Sequence, residues 1–300
     1  MNQRERLTKC PLCKSGLFLN LKEITDHAVS KEKFIICQCS KCELIFTNPR
    51  PEQANIQSYY ESEDYVSHQN KSNNLTNFLY KIVRFYTIRQ KVNWLNTYNE
   101  KKGSLLDIGC GTGYFLKAAQ KSGWKVTGIE PNKTARKIAK DKGLKVFSEL
   151  EKTNSKNLYK CISLFHVLEH VHELRKSVKK LIYQLDKNGV LMIAVPNHSS
   201  WDALHYGEYW AAWDVPRHLY HFNQKSMEYF ANEFKLKIED IRPMKFDSYY
   251  VSLLSEKYKN PGQVLTKQLT NGFKKGFESN KWAKKNNNNY SSLLFILKKV

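Results

Sequence analysis

From residue 104 onward, apolar runs of strand length take turns with helical segments, and this alternation constrains the fold more than any other feature. SLLDIG (104–109), KVTGIE (125–130), LKVF (144–147), YKCISLF (159–165) and GVLMIAVP (189–196) read as buried strands. YFLKAAQKSG, NKTARKIAKDKG and ELRKSVKKLIYQLDKNG read as the helices between them, the last with Leu174, Val178, Leu181, Ile182 and Leu185 on one face. Strands that are apolar throughout and separated by helices form a parallel sheet covered on both faces. A helix at 224–234 and the strands LKIEDIRPM (236–244) and SSLLFILKKV (291–300) complete an α/β, Rossmann-like sheet of seven strands.

Ligands bind such sheets at the carboxyl ends of the strands, near the topological switch point. The first strand ends in LDIGCGTGYF, where Gly109, Gly111 and Gly113 let the backbone turn tightly and approach a ligand. The dinucleotide fingerprint G-x-G-x-x-G fails, because Tyr114 stands where the third glycine belongs. Asp107, two residues before the first glycine, would repel a pyrophosphate and suits a cationic ligand. Glu130 closes the second strand and can accept two ribose hydroxyls. Ser148 or Glu149, ending the third, could meet an adenine.

The amino-terminal end carries a different signal. Cys10-Pro-Leu-Cys13 and Cys39-Ser-Lys-Cys42 form C-x2-C…C-x2-C around a segment that alternates like a hairpin. Two thiolate pairs on tight knuckles wrap a zinc ion tetrahedrally, and four closed thiolates leave no open position, so the expected zinc ribbon is structural. Cys37, in the apolar run FIIC, reads as a packed small residue. FTNPRPE (46–52) is a proline-punctuated turn. The reading is therefore a ribbon over 1–50, a helical cap over 51–100 with Phe78, Ile82, Phe85, Ile88 and Val92 at helical spacing, and a main domain over 101–300.

LDIGCGTG (106–113), GIEP (128–131), ISLFHVLEHV (162–171) and GVLMIAVPN (189–197) resemble the motifs of class I S-adenosylmethionine-dependent methyltransferases, over roughly residues 100–245 plus the last strand. Within that superfamily the chain is most similar to bacterial enzymes with a C-x2-C…C-x2-C ribbon before the core, a layout shared by sugar C-methyltransferases and uncharacterised members. The resemblance implies S-adenosylmethionine as cofactor, with Asp107, Gly109 and Gly111 at its methionine end and Glu130 on the ribose. Cys110, Gly113, Pro131, Phe165 and His166 join that cofactor set. Ser148 stands where many relatives have an aspartate near the adenine amino group.

FHVLEHVHE (165–173) contains His166-x-x-Glu169-His170, the H-x-x-E-H pattern of inverted zinc proteases. Such a site needs both histidines on one helix, whereas His166 falls at a strand end beside the cofactor loop, so the protease reading is set aside. Methyl transfer requires an aligned nucleophile and, for a hydroxyl or carbon acid, removal of a proton. His166, His218 and His221 are the candidate bases. The loop 197–222 is long and aromatic, with Tyr209, Trp210 and Trp213 among its rings, and reads as a substrate roof; the alternative is a satellite hydrophobic cluster. Tyr60, Tyr65 and His170 complete the expected substrate pocket.

Residues 250–290 read as a lid. In it Leu265, Leu269, Phe273 and Phe277 recur at i, i+4 beside Lys267, Lys274, Lys275, Lys281, Lys284 and Lys285, an amphipathic pattern that could touch anionic membrane or cover an apolar substrate; the alternative is a stripe packed on the protein's own core with its lysines in solvent. Gly272 and Gly276 weaken that helix. The formal charge of +21 admits RNA, anionic lipid or acidic metabolites as partners, but Lys and Asn abound along the whole chain, as in KKNNNN (284–289), which favours compositional bias. The polar start, MNQRERLTKC, has no apolar h-region, and no run approaches the ~18 residues that span a bilayer, so a cytoplasmic protein is expected. The expected function is methylation, at O or C, of a sugar, quinone-like or lipid-linked small molecule, with an RNA or protein methyltransferase as the alternative.

Overall fold

The computed structural model describes residues 3–60, 74–99, 101–153 and 158–300. Strands β1 (Arg4–Glu5), β2 (Phe18–Thr25), β3 (Lys33–Cys39), β4 (Ile45–Thr47) and β5 (Arg50–Pro51) form the amino-terminal part. Helix α1 (Asn74–Thr97) leads into β6 (Ser104–Ile108), α2 (Tyr114–Lys121), β7 (Lys125–Ile129), α3 (Lys133–Asp141), β8 (Val146–Phe147) and β9 (Tyr159–Phe165). Then come α4 (Leu174–Gln184), β10 (Leu185–Pro196), α5 (Trp201–Tyr206), β11 (Tyr220–His221), α6 (Gln224–Glu233) and β12 (Leu236–Pro243). Helices α7 (Asp247–Lys259) and α8 (Leu265–Ala283) precede the last strand, β13 (Ser292–Lys299).

The main sheet has seven strands in the order β12-β13-β10-β9-β6-β7-β8. β13 runs antiparallel between β10 and β12, and the remaining pairs are parallel. The strand order reverses between β6 and β9, so the switch point lies at the carboxyl ends of the two strands that carry the glycine loop and His166. Leu105, Leu106, Ile162, Leu164, Leu191, Ile193, Leu294 and Ile296 are buried along the sheet, as the apolar runs require. The sequence-read strand 144–147 shortens to Val146–Phe147, and β10 begins four residues earlier than expected, with a register shift between Leu185 and Val190. No helix among the described residues is long and apolar enough to cross a membrane.

Helix α1 packs on the main sheet. Its last turns place Leu95 in the core, with Val92, Trp94 and Tyr98 packed against the same cluster, while Phe85 is exposed. The ribbon and the main domain also share a sheet. β11, from the loop after β10, pairs with β4 to give the order β11-β4-β3-β2. Arg217 locks that joint. Its guanidinium, 1 % exposed, reaches Asp26 of the ribbon at 2.8 Å and Asp214 of the loop at 2.7 Å. A buried guanidinium is tolerable only with such paired carboxylates.

Candidate active site

The glycine loop is stitched to the neighbouring strand. Gly109 N and Cys110 N both donate to Ile129 O, at 2.8 and 3.0 Å, which holds the loop against the end of β7. Gly111 N donates to Glu130 Oε2 and Asn132 N to Glu130 Oε1, each at 2.8 Å, so the acidic residue is fixed in place by backbone donors. Gly111 has φ 53°, in the left-handed region, and a Cβ built there would meet nothing within 4 Å. At Gly109 (φ 67°) a Cβ would strike Val167 at 2.5 Å. Gly109 is thus demanded by packing, and Gly111 keeps the backbone bare toward open space where a ligand can approach.

Asp107 lies beneath the loop, 4 % exposed, and accepts from Ser163 Oγ at 2.7 Å. Burial pushes its carboxyl up to about 7, although the Ser163 bond and the Lys91 charge pull the other way. Lys91, from α1, sits 3.9 Å above the Phe165 ring and feels both Asp107 and Asp247; burial lowers its pKa. Phe165 stacks edge-on against Phe115 at 5.2 Å. Ser148, just past β8, accepts from Lys152 Nζ at 2.9 Å, and the Pro131 carbonyl accepts from Arg136 Nη1 at 2.7 Å. A buried carboxylate under the loop and an anchored glutamate beside it fit a ligand with a cationic centre and vicinal hydroxyls.

Beside this cleft opens a cavity of about 760 Å³. His166 stands at its mouth, with φ 57°, a value that non-glycine residues seldom adopt outside functional or strained positions. Its Nε2 is 2.9 Å from Asp247 Oδ2 and its Nδ1 3.5 Å from Glu169 Oε1. Burial alone would depress the imidazole, but the two carboxylates outweigh it and raise the pKa to about 9. Near neutral pH His166 is therefore an imidazolium, suited to donate a hydrogen bond and unsuited to remove a proton. His170 sits deeper, where burial and the nearby His218 ring lower its pKa to about 4. His166 follows the end of β9, and Glu169 and His170 lie in a short 3-10 turn (Leu168–His170), so the two histidines do not share a helix as a zinc protease requires.

The aromatic loop does not form a roof. Trp210 and Trp213 are 2 % and 5 % exposed and pack with Tyr206 against Ile24, Phe34, Ile36 and Ile45 of the ribbon. This is the satellite cluster, and it forms because the ribbon offers an apolar face that only large rings can fill. Tyr209 packs beside His27, and His221 is buried against Trp213; neither lines the cavity. The loop's polar members do line it: Asp214, Arg217 and His218. Tyr60 reaches the site from outside, its hydroxyl 3.0 Å from His170 Nδ1. Tyr65 lies outside the described residues.

Sequence reading missed Lys91, Asp214, Arg217 and Asp247. Asp214 and Arg217 lie in DVPRHLYHF, three residues apart next to His218, and that clustering was the available signal. Asp247 opens a helix after β12 and reaches His166 only through the fold. At the other end of the molecule the four ribbon cysteines come together as expected, with Cys10 Sγ to Cys42 Sγ and Cys13 Sγ to Cys39 Sγ both at 3.5 Å. Cys37 stands apart and donates to Asn20 Oδ1 at 3.2 Å.

Known proteins share parts of this arrangement. The ubiquinone biosynthesis O-methyltransferase of Rickettsia conorii is 26 % identical over 160 residues, 49 % of this chain and 55 % of that protein. The chain spans about half the length of the curated relatives it matches. Among solved structures, the magnesium protoporphyrin IX methyltransferase of Synechocystis PCC 6803 with bound SAH superposes with a TM-score of 0.54 at 12 % identity, covering 83 % of this chain and 100 % of that one. The plantazolicin methyltransferase BpumL in complex with SAH gives 0.51 at 16 % identity, over 81 % and 93 %. These two likenesses are of fold. The profile of the methyltransferase domain matches residues 80–241, which hold the glycine loop, Glu130, His166, Asp214, Arg217 and His218, and by that match over more than half its length the chain belongs to the methyltransferase-domain family.

Proposed function

We infer that this protein transfers a methyl group from S-adenosylmethionine to a small-molecule acceptor, at oxygen or carbon, with a sugar, quinone-like or lipid-linked compound as the substrate class. The observation that carries the reading is the 760 Å³ cavity lined by His166, the residue that follows β9, the strand paired with the glycine-loop strand β6. Its size falls within the range of small-ligand pockets, about 300–1,000 Å³. The curated relatives named as ubiquinone biosynthesis O-methyltransferases favour an acceptor hydroxyl. S-adenosylmethionine supplies an activated sulfonium methyl when bound. Asp107, Gly109 and Gly111 would hold its methionine end and Glu130 its ribose, while Cys110, Gly113, Pro131, Ser148 and Phe165 shape the same cleft. His166 would orient the acceptor by donating a hydrogen bond, and His218 faces the same cavity as the group to accept the acceptor's proton.

The Cys10, Cys13, Cys39 and Cys42 cluster suits zinc, since four thiolates at this spacing close a tetrahedral shell. The helix α8 turns Leu265, Phe273 and Phe277 outward, 48–60 % exposed, beside its lysines. We read that face as a contact for an anionic membrane surface in the cytoplasm, consistent with a lipid-linked acceptor. The test is to incubate the zinc-loaded protein with methyl-labelled S-adenosylmethionine and an extract of its source organism, then separate lipids and small molecules from RNA and protein. Label in the low-mass or lipid fraction is expected, and it should fall at least ~10-fold in Asp107→Asn, which loses a charged contact. Label in RNA or protein would replace the substrate class.

A further inference from the structure

One wall of the cavity carries a group of side chains that cofactor binding does not use. Glu169, His170 and His218 each offer a ligating atom, and these atoms lie within 4.8 Å of one another. Glu169 is fully buried, and neither of its oxygens has a hydrogen-bond partner. A buried carboxylate ordinarily collects donors or a cation, because removing it from water unpaired is costly. Its nearest charged neighbour, His166 Nδ1, is at 3.5 Å, beyond a good hydrogen bond.

Both histidines are held by the opposite nitrogen. His170 Nδ1 lies 3.0 Å from Arg217 O, with the Tyr60 hydroxyl at the same distance, and His218 Nδ1 lies 2.9 Å from Ala212 O. A carbonyl partner makes Nδ1 the protonated nitrogen, which leaves the Nε2 lone pair of each ring available. Histidines oriented in this way by backbone carbonyls are the usual supports of protein metal sites. Two imidazoles and one carboxylate form the donor set of catalytic zinc and of non-haem iron, with at least one position left for solvent or substrate. Bonds of about 2.1 Å would set the ligand atoms about 3.4 Å apart, so rotations that move each atom by about 1 Å close the shell.

The geometry points to a divalent metal site of the zinc class formed by Glu169, His170 and His218, separate from the ribbon cysteines and open to the acceptor cavity. Resting on the methyltransferase reading, its use would be to bind the acceptor oxygen and acidify its hydroxyl, whose proton would pass to water in the cavity; the oxygen would then take the methyl as the S–CH3 bond breaks and its electron pair stays on the sulfur of S-adenosylhomocysteine, so that His218 would act by holding the ion rather than as a base. The preferred acceptor would then carry an ionisable hydroxyl with a second oxygen beside it.

Metal content tests the site without reference to methyl transfer. The full chain, equilibrated with zinc and freed of excess, should hold about two ions, one in each site, and His170→Gln or His218→Ala should each hold about one. With cobalt(II) as the probe, the ribbon should give intense thiolate charge-transfer absorption. A further equivalent should add weaker visible bands with no added thiolate band, and these should vanish in Glu169→Gln. Melting curves confirm that each variant folds; should one not fold, the wild-type stoichiometry and cobalt titration decide alone. One ion per wild-type chain, or a second ion retained in all three folded variants, overturns the proposal. A second ion in a protein that methylates nothing leaves the metal site standing and removes the proposed function instead.

Discussion

Asp107 shows how one residue sets function against stability. Its carboxyl is raised from an ordinary 3.8 to about 7 because it is buried. A group so raised favours the folded state while protonated: its contribution is complete below about 3.8 and is lost as pH rises through about 7. Asp107→Asn cannot ionise, so at pH 8 it should melt above the wild type, by about 2–4 °C per kcal/mol recovered, with the gap narrowing as pH falls and closing below about 3.8. The same variant should bind S-adenosylhomocysteine at least ~10-fold more weakly in calorimetry. Lower stability at pH 8 would mean that Lys91 compensates the charge fully. Asp107 was legible in the sequence because its place before the glycines is local. The imidazolium character of His166 was not, since Asp247 comes from a helix that begins eighty-one residues later.

At the scale of elements, α8 shows which way a stripe faces when its pattern leaves the direction open. Its large apolar residues face outward, and the buried stripe is Gly272, Gly276, Ser279, Asn280 and Ala283. The small residues are there because α7 comes very close. A Cβ on Gly272 would lie 2.8 Å from Leu253 Cα, and one on Gly276 would lie 2.7 Å from Tyr249 Cα. These glycines do not merely weaken a helix; they permit the contact between two helices. Gly276→Ala should therefore destabilise the protein by about 1–3 kcal/mol in urea unfolding, because overpacking outweighs the ~1 kcal/mol gain in helix propensity. A stabilised variant would show that the helices separate freely. The stripe was visible in the sequence, but its direction was not: periodicity identifies two faces of a helix and does not say which one a neighbour covers.

For the whole molecule, the decisive feature is the sheet shared by ribbon and main domain. β11 pairs with β4, the loop tryptophans fill the ribbon's inner face, and Arg217 joins Asp26 to Asp214. Removing the zinc proposed for the four cysteines should therefore unsettle more than the first fifty residues. Chelation, or Cys39→Ser, should lower the temperature of a single calorimetric transition for the full chain. Two separated transitions, with the main domain unchanged, would show that the ribbon folds independently. Arg217→Met should cost about 3–5 kcal/mol, since it strands the buried Asp26 carboxylate and unpairs the partly buried Asp214.

The sequence by itself determined the strands, the helices between them, the glycine loop with its acidic partner, and the four-cysteine cluster. Each of these is written in short-range spacing: strand and helix periods, a turn needing positive φ, and two cysteines on one knuckle. Tertiary structure alone decided which side chains meet in the cavity and which way the aromatic loop and α8 face. His166 and Asp247, Asp26 and Arg217, and the ribbon and its tryptophans are partners across long stretches of chain. Their meeting depends on how sheet, ribbon and helical hairpin pack together, and packing is a property of the assembled surfaces rather than of any one segment.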